Sequence, residues 1–599
     1  MFGIGQGLGK ARPARAAAMV ALASIVLLMG ASAASAQAPA GAPPKKPAGK
    51  NPFGNVSEAR KINAFHTSPG VKIEWINTGG KEITPDQLKG KFILLDFWTY
   101  CCINCMHILP ELKKLEHAYP NEVVVIGVHS AKFENERDSR NITDAVLRYE
   151  IEHPVANDNK MAIWNEFNIN SWPSLVLIDP DGKLVARNSG EFTFEQIKPI
   201  MSEAIAHYTA LGKIDPKPIV FQREANTAKD TPLRYPGKVL ADPAGKRLFI
   251  ADSNHNRIVV TSLEGKLLDV IGTGEIGFTE GAYDKCSFNH PQGMVLVDKT
   301  LYVADTENHM LRKVDLDKKL VTTISGNSVQ GRNPFPGADR RFTGAKQRWV
   351  GPPKTTELNS PWDLWVHGKD MYIAMAGPHQ IWKMPLSETE IGPFAGNGRE
   401  DIVDGPHLPE QPYELGASSF AQPSGLSSDG VSLFVADSEG SSIRAVPFDV
   451  TKQVFTVVGT ANLREGRLFV FGDRDGPPET ARLQHPLGVA YHGGTVYVAD
   501  TYNNKIKAVD AKTGSVKTFA GSGKPGLVDE PAQFDEPAGL SIGGDVIYVA
   551  DTNNHAIRTI DIKTGKTATL KIDGLNPPPK PAAAAAKPAA KPAEPATKN

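Results

Sequence analysis

Apolar and polar positions change rhythm once along this chain, near residue 218. Before that point, continuous apolar runs alternate with stretches of helical period. The runs at 92–97, 123–128 and 174–178 read as buried strands. Between the first two, 105–119 sets Ile108, Leu109, Leu112 and Leu115 on one helical face. A short strand opens at Trp75-Ile76-Asn77, and Thr84-Pro85-Asp86-Gln87-Leu88 reads as a short capped helix. Residues 142–149 and 194–211 predict two further helices. Asp179-Pro180-Asp181-Gly182 is a turn leading into 183–185 as a hairpin partner. Alternating strand and helix signals over 61–212 predict an α/β sheet domain.

After residue 218 the period shortens and repeats. An apolar pair, Ala-Asp, then Ser/Thr recurs as Leu248-Phe249-Ile250-Ala251-Asp252-Ser253 and Leu301-Tyr302-Val303-Ala304-Asp305-Thr306. It returns as Leu433-Phe434-Val435-Ala436-Asp437-Ser438, Val496-Tyr497-Val498-Ala499-Asp500-Thr501 and Ile547-Tyr548-Val549-Ala550-Asp551-Thr552. A degenerate copy, Met371-Tyr372-Ile373-Ala374-Met375, has Met375 in place of the Asp. Upstream of most copies stands a Pro-x-Gly phrase, as in His290-Pro291-Gln292-Gly293, Gln422-Pro423-Ser424-Gly425, His485-Pro486-Leu487-Gly488 and Glu536-Pro537-Ala538-Gly539. The variants Tyr235-Pro236-Gly237 and Ser360-Pro361-Trp362 hold the same place.

Six copies of a four-strand unit in one phase predict an all-β six-bladed propeller over 218–575. The repeat Asp and Asn are expected to bind backbone and hold the turn between the second and third strands, not to form metal sites. Ile219-Val220-Phe221 is a candidate for closing the ring onto the last blade. Insertions at 327–357, 397–418 and 459–481 join blades on the face that also carries the Ala-Asp turns. That face, with His255, His309, His379 and His555, is the expected partner-binding surface, against the alternative that each His is a solvated loop residue.

The termini add an address. Lys10, Arg12 and Arg15, the apolar stretch 16–30 and Ala34-Ser35-Ala36 form a secretory signal over 1–36, with a mature start near Gln37 and a periplasmic or otherwise exported location expected. The apolar stretch is short for a membrane span, which needs ~20 residues, with an uncleaved anchor as the alternative; no later segment is long and apolar enough, so no span is expected in the mature chain. Residues 37–60 form a Pro/Ala/Gly/Lys-rich flexible leader, and 576–599 an extended Pro/Ala/Lys tail. With 66 basic and 66 acidic residues among 599, nothing favours nucleic acid as a partner. No phosphate loop, Ser/His/Asp cluster or cofactor fingerprint stands out, so no cofactor is expected.

The chemistry gathers at Cys101-Cys102-Ile103-Asn104-Cys105, which follows the apolar run 92–97 as strand, turn and helix start. A Cys at a helix N-terminus meets unpaired backbone N–H groups that stabilise a thiolate, and a second Cys three residues on lies within disulfide reach. The chain holds four cysteines, Cys286 being isolated and read as a free structural thiol, so this is no disulfide scaffold.

This segment resembles a thioredoxin fold of the exported TlpA-like group. Asp96 lies six residues before Cys102, Pro110 lies five after Cys105, and Trp172-Pro173 precedes a strand. The resemblance implies a buried carboxylate at Asp96, a helix-kinking Pro110 and a cis Pro173 facing the redox pair. The sequence departs from the thioredoxin pattern where Cys101 replaces the usual Trp and where Ile103-Asn104 separates the cysteines. Together with repeats that resemble NHL repeats, the chain is similar to NHL-repeat proteins with an N-terminal thioredoxin-like domain.

That resemblance implies an exported thiol–disulfide oxidoreductase. Cys102 would attack, Cys105 would resolve, Asp96 would exchange the Cys105 proton, and Pro173 would shape the groove. Cys101 would be an accessory thiol, and Trp98 and Tyr100 packing or surface contacts. The propeller would bind a partner or substrate protein. Two other readings stand beside it. One is a non-catalytic scaffold acting through propeller contacts. The other is metal handling by Cys101 and Cys105 with His107 or His129.

Overall fold

The computed structural model describes residues 51–53, 72–337 and 349–579. The expected signal at 1–36, nearly all of the expected leader and the tail from residue 580 lie outside the described residues. No helix of the described residues is long and apolar enough to cross a membrane.

The N-terminal region forms one mixed sheet. Its elements are β1 (Glu74–Ile76), β2 (Phe92–Trp98), α1 (Ile103–Ala118), β3 (Val123–His129), α2 (Ser139–Arg148), β4 (Val155–Asn157), α3 (Ala162–Glu166), β5 (Ser174–Ile178), β6 (Leu184–Ser189) and α4 (Phe194–Ala210). The strand order is β1-β4-β3-β2-β5-β6, with β2, β3 and β4 parallel. Alternation along β2 explains its continuous apolar run. Phe92, Leu94 and Trp98 face a core built on α1, α2 and α4, and Ile93, Leu95 and Phe97 face a second core on α3. Asp96 shares the parity of the α1 face.

The residues expected to form a helix at 84–88 make consecutive turns instead. Thr84 does receive a cap-like contact, its N–H donating to Gln87 Oε1 at 2.8 Å. Five residues before the left-handed Gly90 are too few to propagate a helix. The second helix starts three residues earlier than expected, because Asp138 caps it by accepting from the Arg140 N–H at 2.9 Å. Strand β4 and helix α3 are too short for their periods to show in the sequence.

The rest is a six-bladed propeller. The first blade comprises β7 (Lys238–Asp242), β8 (Arg247–Asp252), β9 (Arg257–Ser262) and β10 (Leu267–Ile271) in meander order. Five more meanders follow at 281–325, 361–395, 423–458, 488–520 and 537–570, the second gaining a short edge strand, Gly281–Ala282. The first strand of each blade stands beside that of the next, around a channel. The Pro-x-Gly phrase supplies the room: a Cβ on Gly488 would lie 2.0 Å from Ala538 O, and one on Gly539 2.6 Å from Lys238 Cα. Lys238 crosses the channel, its Nζ donating to Ser424 O at 2.6 Å and Leu487 O at 2.8 Å and pairing with Asp363 at 3.2 Å.

The ring is closed by a repeated lock rather than by Ile219-Val220-Phe221, whose Ile219 and Phe221 pack on the α3 core of the other domain. At the end of each Ala-Asp turn a residue in left-handed conformation accepts the backbone N–H of the residue before the next blade's Pro. The pairs are Asn256 with His290 (3.0 Å), His309 with Ser360 (3.1 Å), His379 with Gln422 (3.1 Å), Ser441 with His485 (3.2 Å) and Asn504 with Glu536 (2.8 Å). His555 with Tyr235, at 3.1 Å, joins the last blade to the first.

His309, His379 and His555 are therefore inter-blade locks, and His255 is bound to Asp252 at 3.0 Å; none is a solvated binding residue. Burial pushes His309 down to about 3 and His555 to about 4, so both accept as neutral rings. The repeat Asp also does more than hold its own turn. Asp305 Oδ1 accepts the Asn289 N–H at 2.8 Å from the loop entering the blade, and Oδ2 accepts from Asn308 and the fully buried Arg312, each at 2.8 Å.

Candidate functional site

The two domains meet at the propeller face that carries the Ala-Asp turns. The surface expected for a partner protein is thus covered by the chain's own redox turn. Cys102 is the N-cap of α1, with its C=O accepting from Cys105 N at 3.1 Å and Met106 N at 3.2 Å. Pro110 lies inside α1, and the Trp172–Pro173 peptide is cis. Cys102 and Cys105 are free thiols joined by a side-chain hydrogen bond. Cys102 keeps 6% of its surface exposed, and Cys101 and Cys105 none.

The residue before each repeat Pro decides this contact. Gln422 brackets Cys102: its Nε2 donates to Cys101 O at 3.0 Å, and its Oε1 accepts the Ile103 N–H at 2.8 Å. Ile103 N–H is one of the donors that a free helix start would offer to a Cys102 thiolate. Glu536 accepts from Tyr100 Oη at 3.0 Å, Asn135 Nδ2 at 2.9 Å and Arg148 Nη1 at 3.0 Å. Ser360 Oγ pairs with His107 Nε2 at 2.8 Å, and Tyr235 Oη donates to Asp144 at 3.3 Å. His485 stacks on Tyr502 at 4.3 Å and meets Phe133 edge-on at 5.4 Å. The constant Pro-x-Gly marks the phase in the sequence, and the contact residue is the variable one before it. Its signal was that very variability, Tyr, His, Ser, Gln, His, Glu, at one phase of a conserved geometry.

Other contacts complete the seam. Ile103 and Met106 pack on Trp362 and Ala376. Lys132, which follows β3, is buried between Glu439, its close partner, and Glu400 at 3.4 Å. Glu136, unnoticed in the sequence, is fully buried beneath the turn. It accepts from Cys101 N at 2.9 Å, Thr99 Oγ1 at 2.7 Å and the backbone N–H groups of Lys132 and Phe133 at 2.9 Å each. Tyr100 is an anchor to the propeller rather than a free surface contact, and Trp98 is core.

The electrostatics run against a simple thiolate. The hydrogen bond from Cys105 favours an ionised Cys102, but burial and the carboxylates Glu439 and Glu400 outweigh it and hold that thiol up. Cys105 is pushed far up by burial, with the Cys102 hydrogen bond and charge and Asp96 adding to it. Cys101 is raised too, by burial and Glu136, and lies 3.9 Å from Thr99 Oγ1 beneath the surface. Asp96 is fully buried, and neither of its oxygens has a hydrogen-bond partner among the described residues. Burial raises it to about 7 against the opposing pull of His153.

The metal-handling set does not assemble. His107 is taken by Glu191 at 2.6 Å and by Ser360, and His129 lies between Trp98 and Tyr100. Among the described residues no group of three His, Cys, Asp or Glu side chains stands together to hold a metal. A cavity of about 270 Å³ lies beside the turn, between Met106, Pro110, Arg148 and Tyr149 on one side and Trp362 and Glu536 on the other.

Fold and site define a class: a thioredoxin-like domain whose redox turn is seated on its own NHL-type propeller. The chain matches the Thioredoxin-like family over residues 90–184 and the NHL repeat over 534–560. It is 39% identical over 539 residues to NHL repeat-containing protein 2 of Gallus gallus, covering 84% of this chain and 71% of that one. It belongs to that family. It is also 42% identical over 526 residues to the chloroplastic protein SUPPRESSOR OF QUENCHING 1 of Arabidopsis thaliana. That match covers 85% of this chain but spans only about half, 48%, of the plant protein. The thioredoxin-like domain alone is 31% identical over 119 residues to the thiol-disulfide oxidoreductase ResA of Bacillus cereus, covering 20% of this chain and 66% of that one.

Proposed function

We propose that this protein is an exported thiol–disulfide oxidoreductase whose redox turn is held by its propeller. The observation that carries the reading is the Cys102–Cys105 pair at the start of α1, with the unpartnered Asp96 carboxylate buried beside Cys105. Cys102 attacks or is attacked, Cys105 resolves, and Asp96 takes or returns the Cys105 proton. The cis Pro173 shapes the approach to the pair, and Cys101 has a packing role under the turn. Export rests on the basic, apolar and Ala-x-Ala segments of 1–36.

The covered turn bears on the substrate. With Gln422 across Cys102, which keeps 6% of its surface exposed, a protein substrate requires the domains to part. A redox titration of Cys102–Cys105 in the purified protein, by thiol trapping against dithiothreitol and glutathione, tests the reading. A reversible two-electron transition lost in Cys102→Ser is expected. A potential near about −270 mV marks a reductant and one near about −120 mV an oxidant. Absence of any transition favours the scaffold reading, for which the sealed turn is the supporting feature.

A further inference from the structure

Asp96 poses a proton problem. It is fully buried in the central strand, so a proton exchanged with Cys105 needs a way out. The sheet offers one. Asp96 is the register partner of Gly127 on β3. A Cβ on Gly127 would lie 2.8 Å from Trp98 Nε1, 3.2 Å from Val155 Cγ2 and 3.4 Å from His153 Nε2, so only a bare α-carbon lets both ring nitrogens close in on the strand position opposite Asp96. Neither nitrogen, nor either Asp96 oxygen, has a hydrogen-bond partner among the described residues. His153 is 3% exposed, and its other nitrogen, Nδ1, is bound to Glu116 Oε2 at 3.2 Å. Glu116 is partly exposed and, like His153, lines the interdomain cavity. A histidine kept only for packing gives no reason for a nitrogen left open toward a buried acid while the other holds a surface carboxylate. His129 has two unpartnered nitrogens as well, but no surface carboxylate is bound to it.

We propose that His153 and Glu116 form the proton outlet of the Cys105–Asp96 couple, which rests on the redox reading above. The groups facing His153 are Glu116 from α1, Asp96 from β2 and the adjacent Glu152. When a dithiol reduces the disulfide, its thiolate bonds to Cys102 Sγ and the Cys102–Cys105 bond breaks. The electron pair goes to Cys105 Sγ, which takes a proton from Asp96. Asp96 is recharged across Gly127 by His153, and His153 by Glu116 and solvent. The reductant's second thiol then releases Cys102, leaving two thiols on the protein and one disulfide on the reductant. His153 and Glu116 are positioning residues that act through Asp96.

The test is the rate of reduction of oxidised full-length protein by dithiothreitol, sampled by thiol trapping from pH 5 to 9, in Glu116→Gln and His153→Gln. General acid–base groups contribute about 10²–10⁴-fold, and a relay one step removed is expected to contribute about tenfold. Both variants should be slowed by about tenfold near pH 7, be rescued by added imidazole, and keep the wild-type equilibrium potential. Glu116 lies near the surface, so its variant answers even where His153→Gln fails to fold. An unchanged rate and pH profile in Glu116→Gln overturns the outlet while leaving the redox reading intact. A wild-type protein with no reducible Cys102–Cys105 disulfide overturns both.

Discussion

Asp96 in the thioredoxin-like core and Asp305 in the second blade are both fully buried, and burial pushes both up, to about 7 and about 6. By burial and the direction of the shift alone they look alike. Their surroundings differ. Asp305 meets a donor at each oxygen, from Asn289, Asn308 and Arg312, and is part of the frame. Asp96 meets none. A buried carboxylate with every acceptor filled is a structural device, and one left open beside a thiol is a chemical one. Four of the blades carry an Arg against the repeat Asp; the third replaces both, with Met375 and Trp382.

Breaking the filled site should have the largest effect. Asp305→Ala leaves Arg312, wholly buried, without a carboxylate, and removing one partner of a buried pair costs about 3–5 kcal/mol. A lowered urea midpoint for the propeller transition checks this. A loss near zero would mean that Ser287 O and Thr279 O, which also accept from Arg312, suffice.

Emptying the open site should do the reverse. With a folded value near 7 and an ordinary one near 3.9, Asp96 holds its proton in the folded chain while the unfolded chain has released it. Stability therefore falls as pH rises from about 4 to about 7, and the cost stays in full above that. Asp96→Asn removes it: the variant should be more stable by on the order of a few kcal/mol at pH 8 and no more stable at pH 4. The same variant should reduce more slowly. Denaturation at the two pH values reads the first effect, and a gain of equal size at both would show that the charge is not its source.

The third blade suggests a smaller test. Asp305→Met with Arg312→Trp copies its apolar pair into the second blade. Apolar replacement of a buried ion pair is near neutral, and misfit packing adds about 1–3 kcal/mol. The double variant should thus lose less than Asp305→Ala alone. A greater loss would tie the pair to the cation–π contact of Arg312 with Phe288, at 5.4 Å.

The propeller was legible because each blade repeats its constraints in sequence: the close approach at Gly488 and Gly539, the Asp at 305 and 551, the Pro before each inner strand. The redox turn was legible because its spacings are local. What joins them was not. Gln422 lies about 320 residues from Cys101 and Ile103, and Glu136 meets Cys101 through loop geometry that no periodicity encodes. Position in a turn does not give the exposure of the histidines. In the fold, each left-handed turn end points into the neighbouring blade.

Gln422 brings the comparison to the thiol itself, with the smallest expected change. Its Oε1 fills the Ile103 N–H, so at Cys102 the propeller converts an open donor into a saturated one. Gln422→Ala would free that donor, leaving the lock from His379 to residue 422 intact because it uses the backbone N–H. A free helix-start donor favours a nearby anion by about 0.3–1 kcal/mol, which is roughly a two- to fivefold change in thiolate fraction. Alkylation of Cys102 by iodoacetamide at pH 7 should therefore speed up by that factor or more, since the side chain is also removed from above the sulfur. The pH dependence separates the two causes. A gain that fades as pH rises past the thiol's own value comes from thiolate stabilisation, and a gain equal at every pH comes from access alone. In the second case Gln422 acts on Cys102 as a cover and not through the helix start.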